Sequence, residues 1–147
     1  MVDVTAKPVT SRTAVARAFV KMRRSVVRSI RSLRTPKGNP LEIARVAGIA
    51  AAKRTADLIP LCHPLPLTHV DVTARLRQNG VEIRSEVRAT AQTGVEMEAL
   101  MAASLAALTV YDMCKALDKS IEITCLYLVE KLGGKSGRYA RGARRHA

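Results

Sequence analysis

Apolar and polar positions along this 147-residue chain change period several times, and each change marks an element. After an opening arm, residues 1–11, broken by Pro8, the run from Ala14 to Met22 fits two templates. Ala16, Ala18, Val20 and Met22 alternate as in a strand, whereas Val15, Phe19 and Met22 match one face of a helix, so periodicity leaves this segment open. Ser25 predicts a cap for a short helix running to about Leu33. Thr35-Pro36-Lys37-Gly38-Asn39-Pro40 reads as a loop, because proline has no amide hydrogen to donate and cannot continue a helix. Leu41, Ile43, Ala44, Ala47, Ala51 and Ala52 predict a second helix, small enough on one side for close packing, that ends before Pro60. Val70 to Leu76 alternates, Gln78-Asn79-Gly80 turns, and Val81 to Val87 alternates back, which is a hairpin. A long helix from about Val95 to Leu117 and a strand from Ile121 to about Val129 complete the pattern. The middle of the long helix is almost wholly Ala, Leu, Met, Ser and Thr, which predicts that it is buried all round.

No repeat, low-complexity run or linker divides these elements, so the reading is a single domain over residues 1–147. A hydrophobic share of 48% excludes a chain that is disordered throughout. With no Trp and one Phe, the core must be aliphatic, and platforms for stacking nucleic-acid bases are poorly supplied. The net charge of +13 nevertheless invites a nucleic-acid reading, and its distribution weakens it. Residues 1–37 hold ten Lys or Arg against Asp3, and residues 138–147 hold four Arg and no acid, leaving 38–137 with eleven of each sign. The body is neutral and the excess lies near the ends. Arg23, Arg24, Arg28, Arg31 and Arg34 read most simply as a solvated face, and residues 138–147 as a mobile basic tail. A basic nucleic-acid-binding module stays as the alternative reading, and an anionic small substrate is the other use of the charge.

Cys62, Cys114 and Cys125 are widely spaced, with no disulfide framework or zinc pattern, and fit reduced thiols in the cytoplasm. The longest uncharged stretch, Ala99 to Tyr111, is 13 residues, against the ~20 that a membrane crossing needs. The N-terminus lacks the apolar core of a signal peptide.

Three segments carry chemical promise. Leu58 to His69 sets three prolines around Cys62 and His63, a rigid loop able to hold a thiol and an imidazole, although adjacent side chains are poorly placed to chelate one metal. The long helix carries charges at both ends, with Glu96 and Glu98 at its start and Asp112 and Lys115 at its finish. Asp112 and Lys115, three apart, share a face, either as a structural ion pair or as a pair in which the carboxylate tunes the lysine for proton transfer. Glu98 and Asp112 fall on nearly the same side, yet a rise of 1.5 Å per residue sets them ~21 Å apart. One pocket holding both ends would have to borrow one from another subunit, which favours a homo-oligomer with shared sites. Finally, Glu130 to Gly137 contains three glycines and two lysines, fitting either a phosphate-binding tail or a solvated terminus. It is no Walker loop, since no helix-forming sequence follows it.

Several of these words, in this order, resemble one family. Ala44-Arg45-Val46-Ala47-Gly48-Ile49, Ala51-Ala52-Lys53-Arg54-Thr55, Leu58 to Leu65, Gln92 to Leu100 and Tyr111 to Ala116 are similar to the molybdenum cofactor biosynthesis protein C family, the cyclic pyranopterin monophosphate synthases. The opening Val2-Asp3-Val4 with Lys7-Pro8-Val9-Thr10, and the closing Gly133-Gly134-Lys135-Ser136-Gly137, look like that family too. Local departures are Arg23-Arg24-Ser25, Asn39-Pro40 and the arginine-rich tail.

The resemblance implies an α+β chain, a ferredoxin-like antiparallel sheet with helices packed on one face, assembled as a homo-hexamer of three dimers with sites at dimer interfaces. It implies a lyase that converts 3′,8-cyclo-7,8-dihydroguanosine 5′-triphosphate into cyclic pyranopterin monophosphate and pyrophosphate. Carried over by position, Asp112, Lys115 and Lys37 are the catalytic groups. Leu61, Cys62, His63, Glu96, Met97 and Glu98 line the substrate site, and Arg12, Lys53, Lys131 and Lys135 receive the triphosphate. No tightly bound cofactor and no protein metal site are expected, with Mg²⁺ accompanying the triphosphate.

Overall fold

A computed structural model of the chain describes residues 1–142. Strand β1 (Thr10–Lys21) is followed by helices α1 (Arg24–Arg31), α2 (Pro40–Ala52) and α3 (Thr55–Leu58). The hairpin strands β2 (Leu67–Arg77) and β3 (Gly80–Ala91), helix α4 (Glu96–Cys114), and strands β4 (Glu122–Leu132) and β5 (Tyr139–Ala140) complete the chain. The five strands form one antiparallel sheet in the order β2-β3-β1-β4-β5. The first four strands, with helices at both crossovers, have the split βαβ arrangement of a ferredoxin-like fold.

The open question at residues 14–22 resolves as strand. Ala14, Ala16, Ala18 and Val20 are fully buried on the face toward the helices, while Arg17 and Lys21 point away. The same alternation in β3 buries Val81, Ile83, Val87 and Ala89 and leaves Glu82, Arg84, Glu86 and Arg88 on the opposite face. There Arg84 and Arg88 flank Glu86 and hold its carboxyl below the usual range, Arg88 contributing most.

Alanines on facing surfaces allow close approach: Ala99, Ala102, Ala103, Ala106 and Ala107 of α4 are fully buried against this aliphatic sheet. The Ser85 hydroxyl donates to the Ala99 carbonyl at 2.6 Å, so the one polar side chain on that face of β3 is satisfied. Where α2 crosses α4, a Cβ on Gly48 would stand 2.8 Å from the Ala102 carbonyl oxygen and 3.2 Å from Val72. Only glycine fits that crossing.

The second helix is shorter than expected. The buried Thr55 hydroxyl donates to the Ala52 carbonyl at 3.0 Å, which helps end α2 and divides the predicted helix into α2 and α3. Helix α2 starts on Asn39, whose side chain accepts from the Leu41 amide at 3.0 Å, with Pro40 in the first turn. Ser25 does not cap α1. Arg23 holds that position, and its amide donates to the buried Asp118 from the turn after α4.

Two further expectations change. Helix α4 is not buried all round: Met97 and Leu108 are exposed, with Met101 and Leu105 half-buried between them along one stripe. By length and composition alone α4 could cross a membrane, but half of its most apolar window is buried within the fold, where it forms the core. The expected mobile tail is docked at its start. Tyr139–Ala140 pairs with β4, Arg138 bonds Glu130 at 3.0 Å, and the Arg141 guanidinium stacks 4.5 Å from the centre of the Tyr127 ring. The remaining tail, 143–147, lies outside the described residues.

Candidate active site

The C-terminal end of α4 delivers Asp112 and Lys115 to one face because they are three residues apart on a helix. The loop before α2 brings Lys37 to the same point. Lys37 Nζ lies 2.6 Å from Asp112 Oδ2, and Lys115 Nζ lies 2.7 Å from Asp112 Oδ1, so one carboxylate bridges two ammonium groups. All three side chains are about half exposed. Hydrogen bonds from Lys115 and then Lys37 lower the Asp112 pKa to about 2. The reciprocal effect raises the Lys115 pKa, again through the bond to Asp112. At neutral pH, therefore, Asp112 is a fixed anion and Lys115 a held ammonium.

A second cluster surrounds the N-terminal end of α4. A cavity of about 550 Å³ is lined by Leu61, Cys62 and His63 from the proline-rich loop and by Glu96, Met97 and Glu98 from the first turn of α4. Glu98 is 4% exposed, and its removal from water raises its carboxyl pKa, with the Glu96 charge adding to the rise. The Cys62 thiol is pushed up by burial and then by Glu98.

Beside this cavity, Arg12 at the start of β1 donates to the carbonyls of Gln92 at 3.3 Å and Ala91 at 3.4 Å. The loop after β4 wraps its guanidinium: Gly134 has φ +77°, and a Cβ there would collide with the Arg12 guanidinium. Lys131 of β4 pairs with Glu96 at 3.5 Å and donates to the Ser136 hydroxyl at 2.5 Å. Arg12 and Lys131 are thus presented from the sheet, next to the first turn of α4. Lys53 lies exposed at the C-cap of α2 and Lys135 is exposed in the glycine loop; neither side chain bonds another described residue.

Apart from Lys53 and Lys135, the residues expected to work together are therefore gathered into two groups, one at each end of an unbroken helix. Glu98 and Asp112 are separated by ~21 Å of helical rise. Within one chain, Asp112, Lys115 and Lys37 do not meet the cavity. Sequence reasoning missed part of the cavity wall: Met1, Val2, Val4 and Lys7 of the arm line it too. The only signal for them was the motif-like opening, which carries no periodicity. Among the described residues, no three His, Cys, Asp or Glu side chains gather as a metal site.

A ferredoxin-like chain that carries a lysine–carboxylate–lysine cluster, and a cavity flanked by cations, has the parts for proton transfer on an anionic substrate. The comparisons give the class its family. The MoaC family model matches residues 1–134, and the chain belongs to that family. Cyclic pyranopterin monophosphate synthase of Heliobacterium modesticaldum is 57% identical over 143 residues, covering 96% of this chain and 90% of that protein. The enzyme of the same name from Thermomicrobium roseum is 54% identical, covering 96% and 86%, and that from Corynebacterium glutamicum is 55% identical, covering 95% and 90%.

Proposed function

We propose that each active site is built from both clusters, contributed by two copies of the chain, and that it turns 3′,8-cyclo-7,8-dihydroguanosine 5′-triphosphate into cyclic pyranopterin monophosphate and pyrophosphate. The activity is that of cyclic pyranopterin monophosphate synthases, a step of molybdenum cofactor biosynthesis. The observation that carries the shared site is the continuity of α4, which keeps its two charged ends apart within one subunit. Along the helix between those ends, Met97 and Leu108 are exposed with Met101 and Leu105 half-buried between them, and Ile43 and Val46 of α2 are more than half exposed. A second copy packed over these apolar residues about a twofold axis brings the Glu98 end of one α4 toward the Asp112 end of the other. Three such dimers make the homo-hexamer of this reading.

The reaction requires protons to move while the guanine-derived ring rearranges, and then attack by a sugar hydroxyl on the α-phosphorus, with pyrophosphate leaving. Lys115, held as an ammonium by Asp112, donates a proton or stabilises developing negative charge, and Lys37 supplies a second such group. Asp112 fixes both lysines in place. Glu98, Cys62, His63 and Leu61 hold the ring with Met97, and Glu98 is the carboxyl whose raised pKa suits it to exchange a proton. Arg12, Lys53, Lys131 and Lys135 take the triphosphate, and Glu96 positions Lys131. Mg²⁺ accompanying the triphosphate would offset part of its charge, beside the cations of Arg12, Lys53, Lys131 and Lys135. The free thiols Cys62, Cys114 and Cys125 suit a reducing cytoplasm.

The test is incubation of the full chain with the cyclised GTP intermediate, reading pyrophosphate and pterin product together. Equal release of the two, lost in Lys115→Ala, is expected. A folded protein that releases neither contradicts the reaction. Steep, salt-sensitive duplex binding without turnover would instead favour a nucleic-acid-binding role for the basic ends.

A further inference from the structure

We propose that residues 1–7 form a strap that closes over the cavity at the start of α4, and that Lys7 is a substrate-binding cation carried on it. The inference rests on the synthase reading for the identity of the substrate, and on geometry for the strap.

The cavity has two walls of different kinds. One is built into the fold: Cys62 and His63 on a proline-fixed loop, and Glu96 and Glu98 on a helix packed against the sheet. The other is the arm, through Met1, Val2, Val4 and Lys7. Among the described residues lining the cavity, Lys7 is the one lysine or arginine, and two carboxyl groups, Glu96 and Glu98, line it as well. A ring with N–H donors and carbonyl acceptors, as any guanine-derived heterocycle has, matches that division. The carboxyl groups accept from the ring, and the Lys7 ammonium donates to an acceptor oxygen of the bound molecule.

The arm is preshaped but lightly attached. Its own turn is closed by the Lys7 amide donating to the Val4 carbonyl at 2.9 Å, and by the Thr5 amide and hydroxyl donating to Asp3 at 2.9 and 2.7 Å. Pairing with the sheet begins only at Thr10, opposite Ala91. Before that point, one hydrogen bond among the described residues ties the arm to the body, from Gln92 Nε2 to the Thr5 carbonyl at 3.1 Å. Gln92 immediately precedes Thr93 and Gly94 of the cavity lining, so the latch sits on the site that the strap covers. Opening costs one exposed hydrogen bond and a few apolar contacts, the kind of local release available well below global unfolding. Burial of the Cys62 thiol, which raises its pKa, is then partly the work of this strap.

Cys62 also supplies a readout independent of turnover. In a Cys125→Ser background, with Cys114 buried, the rate of Cys62 alkylation reports cavity opening. Removal of residues 1–7 is expected to speed alkylation by about tenfold. Lys7→Ala, which leaves the backbone in place, is expected to raise KM by about tenfold with kcat little changed, and Lys7→Arg to recover most of the loss. Alkylation at the parental rate in the shortened chain would overturn the strap. An unchanged KM in Lys7→Ala would overturn the role of Lys7. If the parental chain does not turn over the cyclised GTP intermediate, the synthase reading fails and the Lys7 assignment with it, while the alkylation comparison still decides the strap.

Discussion

The carboxyl groups at the two ends of α4 live in opposite environments. Asp112 is half exposed and bridged by Lys37 and Lys115, so its ionised form is favoured and its pKa falls to about 2. Glu98 is buried, without a cation bonded to it among the described residues, so its ionised form is disfavoured and its pKa rises. One side chain serves as a permanent anion that keeps Lys115 charged and holds both lysines in place. The other is a carboxyl that can hold or release a proton nearer to neutrality. Titratable groups pushed in opposite directions are what division of labour in acid–base chemistry requires, and here a single helix carries both.

The largest expected effect follows from the fixed-anion end. Asp112→Ala and Lys115→Ala should each lower kcat by about a thousandfold, with circular dichroism and thermal unfolding close to those of the parent, because neither side chain is part of the core. Near-normal turnover by either folded variant would remove this cluster from the chemistry.

A smaller effect concerns what holds the two ends on one rigid rod. Gly48→Ala would place a methyl against the Ala102 carbonyl and Val72, where no flexible side-chain end can yield. A loss of about 1–3 kcal/mol is expected, read as a lower urea midpoint with an unchanged m-value. A variant as stable as the parent would mean that α2 and α4 are free to separate.

The smallest effect is in the pH dependence of stability, where the two ends should give opposite signs. Asp112 has a folded pKa below its ordinary 3.8, so its contribution is present above about pH 4 and is lost as pH falls toward 2. Glu98 has a folded pKa above its ordinary 4.5, so its contribution is present below that value and is lost as pH rises through the folded pKa. Asp112→Asn should flatten the acid limb of a urea-midpoint profile, and Glu98→Gln the decline above pH 4.5. Profiles that superimpose on the parent would contradict the contrast.

Much of the layout was legible before any coordinates. The hairpin, the long helix and the last strand follow from alternation and apolar content, and Asn79-Gly80 marks the hairpin turn. Residues 14–22 were not decidable locally, because alanines serve a strand and a helix equally; pairing with β3 and β4 decides them. The Asp112–Lys115 pair was readable from helical spacing, whereas Lys37, 75 positions away in sequence, joins it only through the family resemblance, spacing alone giving no sign of the bridge. Nor were Asp118 at the N-cap of α1, the docked Tyr139–Ala140, or the arm beside Glu98 readable, since each depends on long-range packing with no periodic signature. The expectation that α4 is buried on all sides came from composition, which cannot tell a face covered by its own chain from one left for another.

That uncovered face makes subunit complementation the most direct measurement. Glu98→Ala and Asp112→Ala proteins, each inactive alone, are mixed under conditions in which subunit exchange is demonstrated by mass. If every site takes Glu98 from one copy and Asp112 from the other, half of the dimers are hybrids with one intact site of two, and activity should recover to about a quarter of the parent. Exchange without recovery would place both residues of each site in one chain and contradict the shared site.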